Sequence, residues 1–298
     1  MNVLHKIELE YSFQCLGIMI WVLFFVDTIL SFFSKNSCYN VFISERRSFM
    51  KHIVTDFLIR YGIHSELHLL DCSDSQSFTT EFKDNVLKLY INPSKYPDID
   101  AALFYMARNA LIPHLCLETE RLILRHFQKG DAEHLFESMS DKETCAMDGG
   151  YDPESSLDET YIASIDEFIQ DPHRFVIALK TSNQAIGMLH LMPVNDRQVE
   201  AMEIGYLINP SQRRKGYAKE AVSAMIRFLM KEGKLDLILL GACEKNTASL
   251  SMIQKLGFTF EGRKHKAFWD VDENKPVDLL YYYLVYYYLD RKESDMYE

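Results

Sequence analysis

The sequence lacks any Cys-x-x-Cys pair, and its six cysteines are scattered along 298 residues. Zinc sites and disulfide frameworks need paired or clustered cysteines, so neither is expected, and isolated cysteines predict reduced thiols in a cytoplasmic protein. The His-Glu-x-x-His order of zinc hydrolases is missing too. His64 and His68 stand four residues apart around Glu66, and no third ligand is evident nearby. The sequence therefore predicts no metal site.

An excess of positive charge is also lacking. The chain has 32 basic and 43 acidic side chains, and its net charge is −11. Proteins that bind nucleic acids usually present a basic face, so a nucleic-acid partner is not expected. A negative surface favours cationic substrates such as amines or peptide N-termini. Hydrophobic residues make up 48% of the chain and charged residues 25%, which is the composition of a folded protein long enough for more than one domain.

Polar residues are scarce between residues 13 and 33. This stretch reaches the length of about 20 apolar residues that crosses a bilayer, with Asp27 as its costliest interruption. Asp27 costs about 3 kcal/mol at a bilayer centre, whereas each Leu, Ile, Phe or Val returns about 0.5 kcal/mol, so insertion is favourable. Basic residues follow from Lys35 onward, which predicts a membrane anchor with the rest of the chain in the cytoplasm. A buried helix, or an upstream extension of a protein that starts at Met50, are the alternatives.

Residues 50–115 form a small mixed α/β segment to which the sequence assigns no function. Apolar periodicity predicts helices at 50–61 and 98–111, and strands at 66–71 and 86–91.

A regular succession of strands and helices begins near residue 116. Asp131 is expected to open a helix as its N-cap. The apolar run 235–241 is typical of a buried parallel strand. Residues 281–288 have near-continuous β propensity, which favours a strand that completes the sheet over an aromatic substrate cage. The other predicted elements are a helix at 161–169 and strands at 121–125, 175–180, 185–191 and 202–208.

The turn between the strand at 202–208 and the next helix combines small and basic residues. Gly216 and Ala218 leave room for a ligand backbone, and the start of a helix attracts phosphate. Positive charge is added there by Arg213, Arg214 and Lys215. Taken alone, these residues fit a basic helix start equally well. Further on, Asn246 and Ser249 begin another helix, at which either side chain has a capping role available.

As an ordered set, these motifs resemble the GNAT superfamily of acetyl-CoA-dependent N-acetyltransferases. The motifs are Glu203-Ile-Gly-Tyr-Leu-Ile208, Arg213-Arg-Lys-Gly-Tyr-Ala218, Asn246-x-x-Ser249 and Lys255-Leu-Gly-Phe258. The opening Leu117-Glu-Thr-Glu-Arg-Leu-Ile-Leu-Arg125 and the closing Phe268-Trp-Asp-Val-Asp-Glu-Asn-Lys-Pro-Val-Asp278 are similar to the RimJ/RimL-like branch, which acetylates protein N-termini among other amines.

The resemblance implies an α+β fold of three layers, in which a mixed, largely antiparallel sheet carries helices on both faces. Its central strands, at 202–208 and 235–241, are expected to splay apart and admit the pantetheine of acetyl-CoA. The predicted organisation is an apolar N-terminal segment at 1–49, with a helix that anchors it in a membrane or extends the chain, the α/β segment at 50–115, and the acetyltransferase domain at 116–298.

The resemblance also implies the residues that hold acetyl-CoA, the expected co-substrate. The N–H groups of residues 213–218 are expected to hold the pyrophosphate, and backbone groups near Leu207 and Ile208 to pair with the pantetheine. The other flank is assigned to Asn246 and Ser249. The full set is Leu207, Ile208, Arg213, Arg214, Lys215, Gly216, Tyr217, Ala218, Asn246 and Ser249.

Acetyl transfer to an amine needs a neutral amine, a polarised thioester and a proton for the leaving thiolate. Glu203, on the strand that borders the cleft, is the candidate base, with a solvated strand carboxylate as the alternative. Many superfamily members place a tyrosine acid where this chain has Ile253, so the sequence departs from that pattern. Ser249, as the RimL branch suggests, or Tyr206 is expected to supply the proton. Direct attack without a dedicated acid stays open.

The predicted function is direct acetyl transfer in a ternary complex, without a metal or a covalent enzyme intermediate. The expected acceptor is a protein or peptide N-terminus, bound in a groove formed by segments such as 140–160 and 263–276. One alternative is a small amine (an amino acid, a polyamine or an antibiotic). Another is a non-catalytic module that binds acyl-CoA.

Overall fold

The computed structural model describes residues 55–69, 78–92, 99–271 and 273–285. The described residues from Asp56 onward belong to one compact unit. The stretch 13–33 that we predict as an anchor lies outside the described residues. Within the described ranges, no helix is long and apolar enough to cross a membrane.

The described chain begins with a small α/β segment. Residues 55–59 are helical, and a three-stranded sheet follows in the order β1-β3-β2. Its strands are β1 (His64–Leu69), β2 (Phe78–Lys83) and β3 (Val86–Ile91), and the next helix is α1 (Ile99–Leu111). β1 runs parallel to β3 and β2 antiparallel to it. The predicted strands near 66–71 and 86–91 and the helix near 98–111 are confirmed over their described residues, whereas the sequence missed β2.

A larger sheet of eight strands follows in the order β10-β11-β9-β8-β7-β6-β5-β4. The strands are β4 (Leu117–Glu118), β5 (Leu122–His126), β6 (Arg174–Leu179), β7 (Ala185–Pro193), β8 (Ala201–Ile208), β9 (Leu237–Cys243), β10 (Thr259–Asp270) and β11 (Lys275–Val285). All neighbouring pairs are antiparallel except β8 and β9, which are parallel. The predicted mixed, largely antiparallel sheet is confirmed.

In the described part of the chain, five α-helices flank this sheet. They are α2 (Asp131–Met139), α3 (Lys142–Asp148), α4 (Glu159–Asp166), α5 (Tyr217–Ile226), which continues as a π-helix (Arg227–Glu232), and α6 (Thr247–Lys255). Leu207 of β8 packs in one buried cluster with residues of α2 and α4. Its neighbour Tyr206 contacts Ser249 of α6. Because successive strand residues point to opposite faces, α2 and α4 cover one face of the sheet and α6 covers the other.

The expected N-cap at Asp131 is wrong. Gly130, in the left-handed region at φ 94°, occupies the cap position, and Asp131 is the first helical residue. The Asp131 carboxylate instead accepts the Gln128 N–H at 2.8 Å and pairs with the Arg125 guanidinium at 2.7 Å. Both charged side chains are buried, so each needs the other as its counter-ion. The ion pair with Arg125 therefore takes precedence over capping, and it links the start of α2 to β5.

Candidate active site

The central strands β8 and β9 separate after three residue pairs. They pair at Ala201↔Leu237, Met202↔Ile238 and Glu203↔Leu239. In the part of the chain that the structure describes, no pairing joins their later residues, although β8 continues to Ile208 and β9 to Cys243. The outer edge of β8 stays paired with β7, and that of β9 with β11. The inner edges therefore border a slot in which an extended ligand can form hydrogen bonds with the unpaired backbone groups.

Asn209 holds the far end of β8 on the side away from β9. Its side chain donates to the His134 carbonyl at 2.8 Å and accepts from Ser138 Oγ at 2.5 Å, both in α2. Its N–H donates to the Ile186 carbonyl of β7 at 2.8 Å. Asn209 is 3% exposed, so these are buried polar contacts. The sequence analysis assigned no role to Asn209 and so missed this anchoring.

The turn after β8 presents a helix start toward the slot. Gly216 adopts φ 83° and Arg214 φ 60°, and among the described side chains none caps α5. The first N–H groups of a helix have no intrahelical partner, so this start attracts anions. The Arg213 N–H already donates to the Pro210 carbonyl at 3.3 Å. The predicted row of available N–H groups therefore begins at Arg214.

The Arg213 side chain is bound to α3 and does not project into the turn. Its guanidinium donates to Thr144 Oγ1 and lies 3.4 Å from both Asp141 and Glu143. Its Nε also donates to the Ile208 carbonyl at 3.3 Å, so this carbonyl already has a partner. Positive charge at the turn is consequently left to the two exposed residues that follow, Arg214 and Lys215.

Arg121 and Glu220 hold the turn through hydrogen bonds, and the sequence analysis missed both residues. Arg121 donates to the Lys215 carbonyl at 3.0 Å and to Glu220 at 2.7 Å, and its guanidinium lies 4.7 Å from the centre of the Tyr217 ring. Thr119 Oγ1 donates to Glu220 at 2.5 Å. Burial works to raise the pKa of Glu220, but the hydrogen bonds from Thr119 and Arg121 lower it overall. The signal available in the sequence was Arg121 in the opening motif.

Glu203 lies where the slot opens. The Tyr281 hydroxyl donates to Glu203 Oε2 at 3.2 Å. A Cβ at Gly241 would stand 3.3 Å from Glu203 Oε1, so the glycine leaves room for the carboxylate. Burial raises the pKa of Glu203, while the Tyr281 hydrogen bond and the positive charge of Lys264 partly offset the rise. A carboxyl with a raised pKa suits proton transfer near neutral pH.

A pocket of about 620 Å³ adjoins Glu203. It is lined by the connection between β7 and β8 and by residues of β9, β10 and β11. The ionisable residues of its lining are Asp196, Arg197, Glu203, Glu261, Arg263, Lys264 and Tyr281. Glu203 thus lines this pocket from the last position at which β8 pairs with β9.

Tyr206 and Ser249, the two candidate acids, meet on the opposite face of the sheet. Tyr206 Oη and Ser249 Oγ lie 2.8 Å apart, and Ser249 is buried. Burial raises the pKa of Tyr206, and the hydrogen bond to Ser249 counteracts it. The Asn246 side chain accepts the Ser249 N–H at 3.0 Å, so the predicted capping role of Asn246 is confirmed. Ile253 is fully buried in α6.

The two segments expected to form an acceptor groove come into contact. Gly150, at φ 70°, lies so close to Trp269 that a Cβ there would fall 2.1 Å from the Trp269 carbonyl oxygen. Next to this contact, the Tyr151 hydroxyl donates to Asp148 at 2.8 Å. No group of three metal-ligating side chains occurs within the described ranges.

Comparisons with known proteins agree with this geometry. The family model of the acetyltransferase (GNAT) domain matches residues 121–259. The uncharacterized N-acetyltransferase YoaA of Bacillus subtilis is 31% identical over 151 residues, which cover 49% of this chain and 84% of that protein. The uncharacterized N-acetyltransferase YnaD of the same organism is 28% identical over 148 residues, with coverages of 49% and 84%. A crystal structure of a GNAT-family acetyltransferase from Bacillus anthracis has a TM-score of 0.50 at 27% identity, covering 58% of this chain and 99% of that one.

The chain therefore belongs to the GNAT family of acetyltransferases. It is an N-acetyltransferase, as predicted, and GNAT acetyltransferases use acetyl-CoA as the acetyl donor. The RimJ/RimL-like branch and the roles of the individual site residues stay predictions.

Proposed function

We propose that this chain acetylates a primary amine by direct attack on acetyl-CoA, and that the acceptor is the N-terminal amine of a protein or peptide, as in the RimJ/RimL-like branch. The observation that carries the proposal is the position of Glu203. It lies at the point where β8 and β9 separate, between the slot on one side and the 620 Å³ pocket on the other. A base at this boundary reaches both an acetyl donor in the slot and an amine in the pocket.

The slot and the turn fit the donor. The inner edge of β8 beyond Glu203 offers backbone groups to a pantetheine chain. Leu207 itself turns its carbonyl toward Gly187 of β7, so the groups on this edge belong to its neighbours. Among the described residues the start of α5 has no side-chain cap, and its N–H groups from Arg214 to Ala218 suit a pyrophosphate. We assign Arg213 a backbone or positioning role, because its side chain is bound to α3. Asn246 and Ser249 border the other flank at the start of α6.

Glu203 and the Tyr206–Ser249 pair divide the proton transfers between the two faces of the sheet. Glu203 takes the proton of the acceptor amine, directly or through water, since burial raises its pKa toward the working pH. Tyr206 and Ser249 donate a proton to the departing thiolate from the opposite face, with Ser249 relaying through the 2.8 Å contact to Tyr206. This division keeps the base and the acid apart while both border the slot.

A thiol-release assay tests the proposal. The purified full chain is incubated with acetyl-CoA and peptides with free N-termini, with the same peptides N-terminally blocked as controls. We expect thiol release from free but not from blocked peptides. Coenzyme binding without release from any amine would instead identify a non-catalytic acyl-CoA-binding module.

A small amine is the second candidate acceptor, because a pocket of about 620 Å³ beside Glu203 is large enough to enclose one. Amino acids, polyamines and aminoglycoside antibiotics therefore belong in the same panel. Release from these compounds but not from peptides would replace the protein N-terminus as the acceptor and leave the chemistry unchanged.

A further inference from the structure

We infer that the acceptor carries a carboxylate close to its reacting amine, and that Lys264 binds this carboxylate while Glu203 receives the amine. The inference rests on the proposed function and narrows its substrate class. Free amino acids have this chemistry, and so do peptides with an acidic residue directly after their N-terminal residue.

Most charges that line the pocket are already paired. Arg197 bonds to Glu261 at 2.6 Å and lies 3.5 Å from Asp196. Arg263 is paired with Glu244, which lies outside the lining.

The two charges left over are Glu203 and Lys264. Within the described part of the chain, no basic side chain lies within salt-bridge distance of Glu203, and no carboxylate lies that close to Lys264. The Lys264 ammonium lies 4.4 Å from the centre of the Tyr281 ring. The hydroxyl of the same tyrosine bonds to Glu203. One phenol ring therefore separates a cation from an anion, and a zwitterion of a few bonds' length complements this pair.

The backbone of β10 explains why Lys264 pairs with no carboxylate among the described residues. The register of β10 against β11 shifts between Lys264 and Phe268, and Lys266 adopts φ 53°. This irregularity directs the Lys266 N–H and the His265 ring to Asp278, at 3.1 and 3.0 Å. The Asp278 carboxylate, which is near enough to approach Arg263 at 3.9 Å, is thus held by other residues.

The charge arrangement also selects against the other small acceptors. A polyamine places a second positive charge in the pocket, where Lys264 repels it. A simple monoamine satisfies Glu203 but gains no attraction from the Lys264 ammonium. A carboxylate-bearing amine satisfies both, so attraction and repulsion favour the same acceptor class.

Matched acceptor pairs test the inference. Glycine is compared with glycinamide, and a peptide with Asp at its second position with the same peptide carrying Asn. We expect kcat/KM to be about tenfold to hundredfold higher for the carboxylate-bearing member, the range that a charge-assisted hydrogen bond supplies. The pair that shows the larger preference identifies the free amino acid or the peptide as the source of the carboxylate.

Variants assign the preference to Lys264. Lys264→Met removes the ammonium and keeps the stem, so the preference should fall to near unity, whereas Lys264→Arg should keep it. Lys266→Met is the matched control, because Lys266 is exposed on the same strand outside the pocket lining and should leave the preference intact. Equal rates for both members of each pair in the wild type, or an unchanged preference in Lys264→Met, would overturn the inference.

Failure of the inference and failure of the proposed function give different results. Thiol release without a preference for the carboxylate-bearing acceptor would contradict the inference and leave the proposed function standing. Absence of thiol release with every acceptor would contradict the proposed function. In that case, calorimetric titration of the acceptor pairs into the protein with coenzyme A still measures selectivity, and absence of a Lys264-dependent difference in affinity would refute the inference.

Discussion

At the scale of single residues, the decisive feature is the environment of Glu203. It is half-buried at the last position of β8 that pairs with β9, and burial raises its pKa. The Tyr281 hydroxyl stabilises the charged form and moderates this rise. A carboxyl adjusted by two opposing effects is suited to accept a proton from an amine near neutral pH.

Glu203→Gln should lower kcat/KM by about 100-fold, since the amide cannot act as a base although it has the shape of the carboxylate. It should not destabilise the protein. The pKa of Glu203 is raised on folding, so its favourable contribution is complete below the unfolded pKa and is lost as the pH rises through the folded pKa. At pH 8 the buried carboxylate charge lowers the free energy of unfolding, and the neutral Gln side chain removes this destabilisation. Thiol release and thermal unfolding at pH 8 measure both effects, and an unaltered rate would exclude Glu203 as the base.

Tyr281→Phe should move the acidic limb of the pH profile of kcat/KM to higher pH. The hydroxyl lowers the pKa of Glu203, so its removal lets the pKa rise further. The variant should recover activity at high pH, which a general loss of structure does not predict.

Tyr283→Phe is the control for this change. Tyr283 lies two residues further along β11 on the same face, opposite Leu239. The pH profile of kcat/KM of Tyr283→Phe should match that of the wild type. An equal shift in both variants would argue against a specific role of Tyr281.

At the scale of elements, the turn between β8 and α5 shows how a short motif is stabilised by distant residues. Gly216 supplies the left-handed conformation at the start of α5. Arg121 and Glu220 then fix the turn through the Lys215 carbonyl and the Tyr217 ring. Coenzyme affinity should therefore depend on the backbone shape of this turn as well as on its charge.

Gly216→Ala should raise the KM for acetyl-CoA. Alanine in the left-handed region costs about 1 kcal/mol or more, and its Cβ would lie 3.3 Å from an Arg121 nitrogen, so the guanidinium that holds the turn must also shift. Gly62→Ala is the matched control, because Gly62 has φ 72° with no atom within 4 Å of the added Cβ. The control should lose similar stability and keep the KM. An increase in KM in both variants would show that the effect is not local.

At the scale of the whole molecule, the N-terminal α/β segment is packed against the end of the α5 π-helix. Phe57 stacks on Phe228 at 6.2 Å, and the Tyr61 hydroxyl bonds to Glu232 at 2.5 Å. Arg108, 1% exposed, donates to the Gly233 carbonyl at 2.9 Å. These contacts cross the boundary that we predict at residue 115. The division at that boundary stays a prediction, but the two sides share buried surface.

Phe57→Ala should lower the free energy of unfolding by about 3 kcal/mol, the cost of removing a buried aromatic ring. Because Phe57 packs on Phe228, the loss should appear in one cooperative transition that includes the acetyltransferase part. Ile59→Ala, at a position 53% exposed on the same helical stretch, should change stability by less than about 0.5 kcal/mol. Chemical denaturation followed by fluorescence and by residual activity measures both. Two separate transitions would instead support independent domains.

Much of the fold was accessible from sequence because its signals are local. Local sequence patterns predicted β5 to β9 and the second half of β11, and the Gly216 turn together with the Asn246 motif indicated the donor site. The edge strand β2 (Phe78–Lys83) was missed because its polar sequence gains strand structure only by pairing with β3. The Asp131 cap was mispredicted because the competing partner, Arg125, lies on a different element.

The sequence by itself determined the order of most elements, which depends on periodicity. It also carried the family resemblance, which depends on short ordered motifs and implies the class of donor. Only the tertiary structure decided which distant residues meet. Tyr281 reaches Glu203 across 78 positions, and Arg121 reaches Glu220 across 99. Strand order and the anchoring of β8 by Asn209 produce these contacts. No local pattern encodes them, because each depends on how separate elements pack.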